Sequence, residues 1–259
     1  MAEAVRRSAE DLVLLERRGS VAVITLNDPA SLNSIGTDMF LALRARVEEV
    51  GEDDSCSVVV LTGAGRSFCS GKDMRVPVDP DETPTDRLGA MRKTWKTVKR
   101  MREIQQPIIA AVRGHAVGVG FTFAVASDLR IVAPDVKFNP VFARIGMTPG
   151  DVGLSWFLPK IIGLGRSAEV FNLAKIIDAE MAERWGLANE IAEDPLGRAL
   201  EMAEQMAELS PESLRQTKEL LNASASGGSL DQHIEVEIRS QAMASFSREH
   251  KEALARFGK

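Results

Sequence analysis

Apolar positions along this chain switch between two rhythms, and the switches predict its elements. Residues 12–17 (LVLLER) and 20–26 (SVAVITL) are short apolar, β-branched runs split by Arg18-Gly19, which predicts a hairpin. Asn27, Asp28 and Pro29 end the second strand. From Thr37 the rhythm becomes helical: Met39, Phe40, Leu43, Val47 and Val50 recur three and four apart, and Gly51 closes the helix. Residues 57–63 (SVVVLTG), 107–114 (PIIAAVRG) and 129–133 (LRIVA) are continuous apolar runs, the form expected of strands buried on both faces. Between them, a proline- and acid-rich loop is expected at 76–86 and a helix from about Arg87 to Glu103. The repeat of strand, loop and helix predicts an α/β fold.

From Gly153 onward the pattern is nearly all helical, apart from a short strand expected at 187–192 (LANEIA). Ser210-Pro211-Glu212 has the serine-then-proline form of a helix start, and Gly227-Gly228 separates that helix from the last ones. This divides the chain into an α/β core at 1–195 and a C-terminal helical region at 196–259, read as an oligomerisation region that packs on a neighbouring subunit, with packing within its own chain as the other reading.

Composition narrows the function classes. Of 259 residues, 44% are hydrophobic and 27% charged, enough for a substantial core. The net charge of −5 gives no basic field for nucleic acid, so none is expected as a partner. Two cysteines, Cys56 and Cys69, are too few for a disulfide framework and read as reduced thiols. His115, His233 and His250 lack ligand spacing, so no metal site is expected. No apolar run has the length of a signal or a membrane span, so a cytoplasmic protein without a membrane partner is expected.

Two segments share one physical design. VVVLTGAGRSFCSGKDM (58–74) is a buried strand followed by a glycine-bearing loop. IIAAVRGHAVGVGFTF (108–123) is a buried strand, a turn with glycines at 114, 118 and 120, then a helix. The first N–H groups of a helix have no partner inside it and carry the positive end of its dipole. Gly118 and Gly120 remove side chains that would keep a ligand oxygen away. Such a turn polarises a carbonyl and holds the negative charge that develops on it. It is not the dinucleotide fingerprint, because no third glycine follows.

At these residues the chain resembles the crotonase family, the enoyl-CoA hydratase/isomerase superfamily. FCSGKDM is similar to its F-x-x-G-x-D segment, AAVRGHAVGVGFTFAVASDLRIVA to its strand, glycine turn, helix and aspartate, and PGDVGLSWFLPKIIG (149–163) to its later turn and helix. The likeness covers essentially the whole chain. It implies a spiral of ββα units with a C-terminal helical region that forms a homotrimer or hexamer. It implies an acyl-CoA thioester as ligand, with coenzyme A part of the substrate and no separate cofactor. By position, the oxyanion donors become the backbone N–H groups of Lys72 and Val119, the latter where many members have glycine. Arg66, Ser70, Gly71, Lys72, Asp73 and Met74 fall on the segment that borders coenzyme A, with Arg75 beside them, and Gly118, Thr122 and Phe142 line the substrate site.

The resemblance also exposes a departure. Hydratases of the family use two glutamates, and here those positions are Thr122 and Phe142. A positioned acid or base contributes ~10²–10⁴-fold, so ordinary hydration is not expected. Asp151, in G-D-V-G, resembles the aspartate of the family's dienoyl-CoA isomerases and some acyl-CoA hydrolases, and becomes the candidate catalytic residue. Its other reading is the N-cap of the helix that follows. Burial against Phe142 and Trp156 would raise its pKa. The sequence therefore predicts an isomerase- or hydrolase-like thioester enzyme. The alternative is a catalytically impaired CoA-thioester-binding protein of the same fold, and RNA binding ranks behind both. His115 reads as a partly buried histidine bonded to backbone, with substrate contact as its other reading, Asp128 as structural, and Glu235 and Glu237 as a solvated helix face.

Overall fold

In the computed structural model, which describes residues 8–75, 79–150 and 152–257, the chain alternates strands and helices and then becomes wholly helical. It begins with α1 (Ala9–Leu12), β1 (Val13–Arg18), β2 (Val21–Leu26), α2 (Thr37–Gly51), β3 (Val58–Gly63), α3 (Pro84–Glu103) and β4 (Ile108–Val112). It continues through β5 (His115–Val117), α4 (Val119–Ala126), β6 (Leu129–Val132), β7 (Lys137–Asn139), α5 (Leu154–Ile162), α6 (Leu164–Asn172), α7 (Ala179–Arg184) and β8 (Glu190–Ile191). The last helices are α8 (Pro195–Ala207), α9 (Pro211–Ser226), α10 (Leu230–Ser245) and α11 (Arg248–Phe257). No helix among the described residues is long and apolar enough to cross a membrane.

Six strands form one sheet in the order β1-β2-β3-β4-β6-β8, with only the β1–β2 hairpin antiparallel. Because side chains alternate along a strand, β2 sends Ala22, Ile24 and Leu26 to one face and Val21 and Val23 to the other. The first face is covered by α2 and α4 through Phe40, Leu43, Val47, Phe121 and Phe123. The second is covered by α8, whose Ala199 and Ala203 are small enough to let the helix lie against Val58, Val60, Ile109 and Ile131. A division after residue 195 therefore does not separate the sheet from its cover, since α8 completes the core of the same chain.

The predicted strands and the first helix stand close to the expected residues. The helix expected from Arg87 begins earlier, at Pro84, inside the acidic segment. Thr83 caps it in a reciprocal box with Asp86, and proline takes the first turn, where its missing N–H costs nothing. Two three-residue strands, β5 and β7, were not expected. They pair in parallel as a separate small sheet, and they matter because β5 leads directly into α4.

One buried ionic cluster ties the helical region to this core. Lys218 of α9 is 4% exposed. Its Nζ donates to Met101 O (3.1 Å) and Gln106 O (2.8 Å) and lies 3.1 Å from Asp128 Oδ2. Burial pushes its pKa down to about 8, against the opposing attraction of Asp128. Below pH 8 both folded and unfolded chains carry the proton, and the full cost of burying the ammonium is present. Between about 8 and the unfolded value of 10.5 the unfolded chain binds more protons, so this group's contribution to stability rises with pH. The melting temperature of the native chain minus that of Lys218→Met is expected to widen from pH 7 to ~9.5 in a circular-dichroism melt; a narrowing gap would contradict the assignment.

Candidate active site

The site is built where two strand ends meet backbone to backbone. After β3 the chain loops through residues 64–72, and Cys69 forms a bridge with Ala116 of β5. Cys69 N donates to His115 O (2.8 Å), and Val117 N donates to Cys69 O (2.9 Å). Glycines make this approach possible. A Cβ on Gly120 would lie 2.5 Å from Cys69 O, and one on Gly71 2.8 Å from Val117 O. Gly118 has φ 51° and ψ −112°, a conformation closed to residues with a side chain, and it caps α4.

Two main-chain donors emerge from this contact. Lys72 bridges Ile35: Ile35 N donates to Gly71 O (2.7 Å) and Asp73 N to Ile35 O (3.0 Å). In that parallel pattern the bonded groups belong to the flanking residues, so the N–H of Lys72 itself points away from Ile35. Val119 is the first residue of α4, so its N–H has no acceptor in the helix. Among the described residues neither amide donates to a protein acceptor.

Asn33 props the first loop, and its role was not predicted. Its fully buried amide Nδ2 donates to Ala64 O (2.9 Å), Ser67 O (2.8 Å) and Phe68 O (3.2 Å), while its Oδ1 accepts from Asp28 N (2.8 Å). The left-handed backbone at Leu32 and Asn33 is the only local signal, and asparagine tolerates that region.

The remaining predicted positions divide clearly. Thr122 is fully buried, and its hydroxyl donates to Gly118 O (3.3 Å). Phe142 is 5% exposed, and its ring lies 3.6 Å from where a Gly118 Cβ would be, so the second expected glutamate position is an apolar cover over the turn. Arg66, Lys72 and Met74 are exposed, and Ser70 is half-buried with its hydroxyl on Ser31 O (3.0 Å). Arg75 is engaged by Asp73 (Nη2–Oδ2 2.8 Å), which holds the Asp73 carboxyl below the usual carboxylate range. That leaves Arg66 and Lys72 as the loop's cations without such an ion pair among the described residues. Burial pushes the Cys69 thiol up to about 12, so it stays protonated and serves in packing.

Asp151 lies outside the described residues. The helix that follows has Gly153 (φ 110°) at its N-cap position. Val152 has φ 44°, a strained conformation for a β-branched residue. Gly150, Val152 and Gly153 wall a cavity of about 260 Å³ with Met91, Arg92 and Trp95 of α3. Trp156 does not close this region: it is 54% exposed, with Lys160 Nζ stacked 3.1 Å from its ring. His115 is exposed on β5 rather than partly buried. Asp128 is structural, with Oδ2 accepting from Ile108 N (2.8 Å), and Glu235 and Glu237 are exposed on α10.

With this geometry, residues 16–258 match the enoyl-CoA hydratase/isomerase family. This chain belongs to that family. It is 35% identical to the "Probable enoyl-CoA hydratase echA12" of Mycobacterium leprae, over 93% of this chain and 85% of that one. It is 31% identical to the 1,2-epoxyphenylacetyl-CoA isomerase of Escherichia coli, over 95% of each. The crystal structure of a monofunctional enoyl CoA isomerase from M. smegmatis superposes with a TM-score of 0.74 at 34% identity, covering 86% of this chain and 98% of that one. The mixed α/β architecture with its helical C-terminal region is the crotonase fold.

The close approach makes one direct prediction. Gly120→Ala places a methyl 2.5 Å from Cys69 O and 2.7 Å from Cys69 Cβ, so the two segments must separate. We expect a loss of about 3 kcal/mol in urea unfolding; a change within ~0.5 kcal/mol would show that the contact is slack.

Proposed function

We propose that this chain is an acyl-CoA thioester enzyme that holds a thioester enolate on the backbone N–H groups of Lys72 and Val119, with Asp151 as the proton carrier. What supports this reading is the glycine-dependent contact of residues 69–71 with 116–120, beside which the Lys72 and Val119 amides take no protein acceptor among the described residues. Donors fixed in a water-poor site stabilise developing negative charge most effectively, and backbone donors do not depend on side-chain identity. Valine in place of glycine at 119 keeps the donor.

The identities of Thr122 and Phe142 favour isomerisation or hydrolysis over hydration. Adding water to a double bond needs a base for the water and an acid for Cα, the task of two glutamates. Isomerisation takes a proton from one carbon of the acyl chain, leaves the electrons as the enolate, and returns the proton at another carbon. One carboxylate suffices for that. The cavity beside residues 150–153 is smaller than the ~300–1,000 Å³ of whole-ligand pockets, which suits it to the acyl group, leaving coenzyme A along Arg66, Ser70, Gly71, Lys72, Asp73 and Met74. The Escherichia coli and M. smegmatis relatives are both isomerases by name, and thioester isomerisation is what we carry over. Exposed Leu221, Leu230, Ile238, Met243, Phe246 and Leu254 on α9 to α11 then form a surface covered in a homotrimer or hexamer of this chain.

A panel of enoyl-, dienoyl- and 3-hydroxyacyl-CoA substrates, followed by absorbance and thiol release, tests the reading. We expect isomerisation or hydrolysis of at least one, faster than hydration of any 2-enoyl-CoA. Asp151→Asn should lower kcat by ~10²–10⁴-fold with thioester Kd unchanged within about threefold. Binding without turnover across the panel would instead establish the impaired thioester-binding protein, and an unaffected Asp151→Asn would remove Asp151 from the mechanism.

A further inference from the structure

Lys218 is the one buried side chain of α9, and the apolar hold of this helix on the core is slight, with Leu214 partly buried against the second face of the sheet. Its anchor is the ionic cluster. Arg102, near the end of α3, donates from Nη1 to Asp128 Oδ1 (2.7 Å) and to Ala126 O (2.9 Å). Asp128 Oδ2 accepts from Ile108 N (2.8 Å) and faces Lys218 Nζ (3.1 Å). Asn222, one turn beyond Lys218, exchanges hydrogen bonds with Arg102: its Oδ1 accepts from Nη2 and its Nδ2 donates to Arg102 O. Lys218 also takes the carbonyls of Met101 and Gln106.

The two helices gripped here both reach the site, α4 with its other end and α3 with its middle turns. Ala126 is the last residue of α4, and Val119 is the first. At ~1.5 Å per residue the helix is a rod of about 12 Å, buried along its whole length, with no hinge between the clamp and the amide. Met101 and Arg102 close α3, and Met91, Arg92 and Trp95 of α3 wall the cavity beside residues 150–153. A displacement of ~1 Å at reacting groups costs on the order of 10²-fold in rate, and oxyanion donors work at about 2.7–3.1 Å.

We propose that Lys218 is a positioning residue: through Asp128 and Arg102 it sets where α4 presents the Val119 amide and where α3 walls the acyl cavity, so the C-terminal helical region tunes catalysis without touching substrate. The inference rests on the Val119 amide being a donor to the thioester oxygen. A simple strut would behave differently, and α9 supplies the comparison. Arg215 anchors the same helix elsewhere, donating from Nη2 to Asp54 O (3.0 Å) in the turn after α2 rather than to a residue of α3 or α4.

The test uses the full chain with Lys218→Met, Lys218→Arg, Asn222→Ala and Arg215→Ala. Each is assayed well below its melting temperature for kcat and KM on the best thioester of the panel, and for hydrogen–deuterium exchange at residues 119–126. We expect Lys218→Met to lower kcat by ~10–100-fold with KM within about threefold. Lys218→Arg should recover part of that loss, Asn222→Ala should show a smaller loss of the same kind, and Arg215→Ala should keep kcat within about twofold. Exchange at 119–126 should rise in Lys218→Met and Asn222→Ala but not in Arg215→Ala. Overturning results are an unchanged kcat in folded Lys218→Met, or equal losses in Lys218→Met and Arg215→Ala. Should Lys218→Met not fold, Asn222→Ala against Arg215→Ala decides by the same criteria. Should the native chain turn over no thioester, the proposed function fails, and the exchange comparison alone decides the coupling of α9 to α4: equal exchange in both variants refutes it.

Discussion

Bringing one main chain within touching distance of another, with no side chains between them, is the constraint on which this molecule is built. Cys69 bridges Ala116, and Gly71 and Gly120 stand where a single added carbon would collide with a carbonyl oxygen. Backbone groups at such a junction must find partners or be left aimed at something else. Most do find them: Cys69 and Val117 pair across it, and Gly118 N donates to Asn139 O. Among the described residues the amides of Lys72 and Val119 are two that take no protein acceptor, the one beside the bridge to Ile35 and the other at the start of α4.

Much else serves that junction. The large sheet ends its parallel strands on one side, so the loops after β3 and β4 emerge together. The small β5–β7 sheet turns the chain back so that α4 starts against the first loop. Asn33 gathers three carbonyls of that loop on one amide. The chemistry is then decided by what surrounds the junction. Family members that add water place carboxylates at two positions, and this chain places a buried threonine and a phenylalanine ring there. On the proposed function, keeping the backbone donors while replacing both carboxylates changes the reaction without changing the fold, in line with the rule that function resides in sites carried by folds.

Much of this was legible in the sequence, because the strong signals were local. Continuous apolar runs located β3, β4 and β6, two β-branched runs split by Arg18-Gly19 located the hairpin, and glycine spacing located the turn before α4. What escaped was set by tertiary contact. Strands β5 and β7 have three residues each and exist because each pairs with the other, not because of their composition. Helix α8 reads as part of a tail, yet its two alanines cover the second face of the sheet. Lys218 looks like a solvated charge on a polar helix until Asp128 and the carbonyls of Met101 and Gln106, all distant in sequence, converge on it. Trp156 looks like a core residue, but it lies in the first turn of α5 on an open surface and finds its partner in Lys160.

The central claim is that the amides of Lys72 and Val119 grip one thioester oxygen together. A crystal structure with a non-reactive acyl-CoA analogue bound measures this most directly. The account predicts the thioester oxygen within about 2.7–3.1 Å of both nitrogens. An oxygen bonded to only one of them, or an acyl-CoA seated away from the junction of residues 69–72 with 116–119, would contradict it.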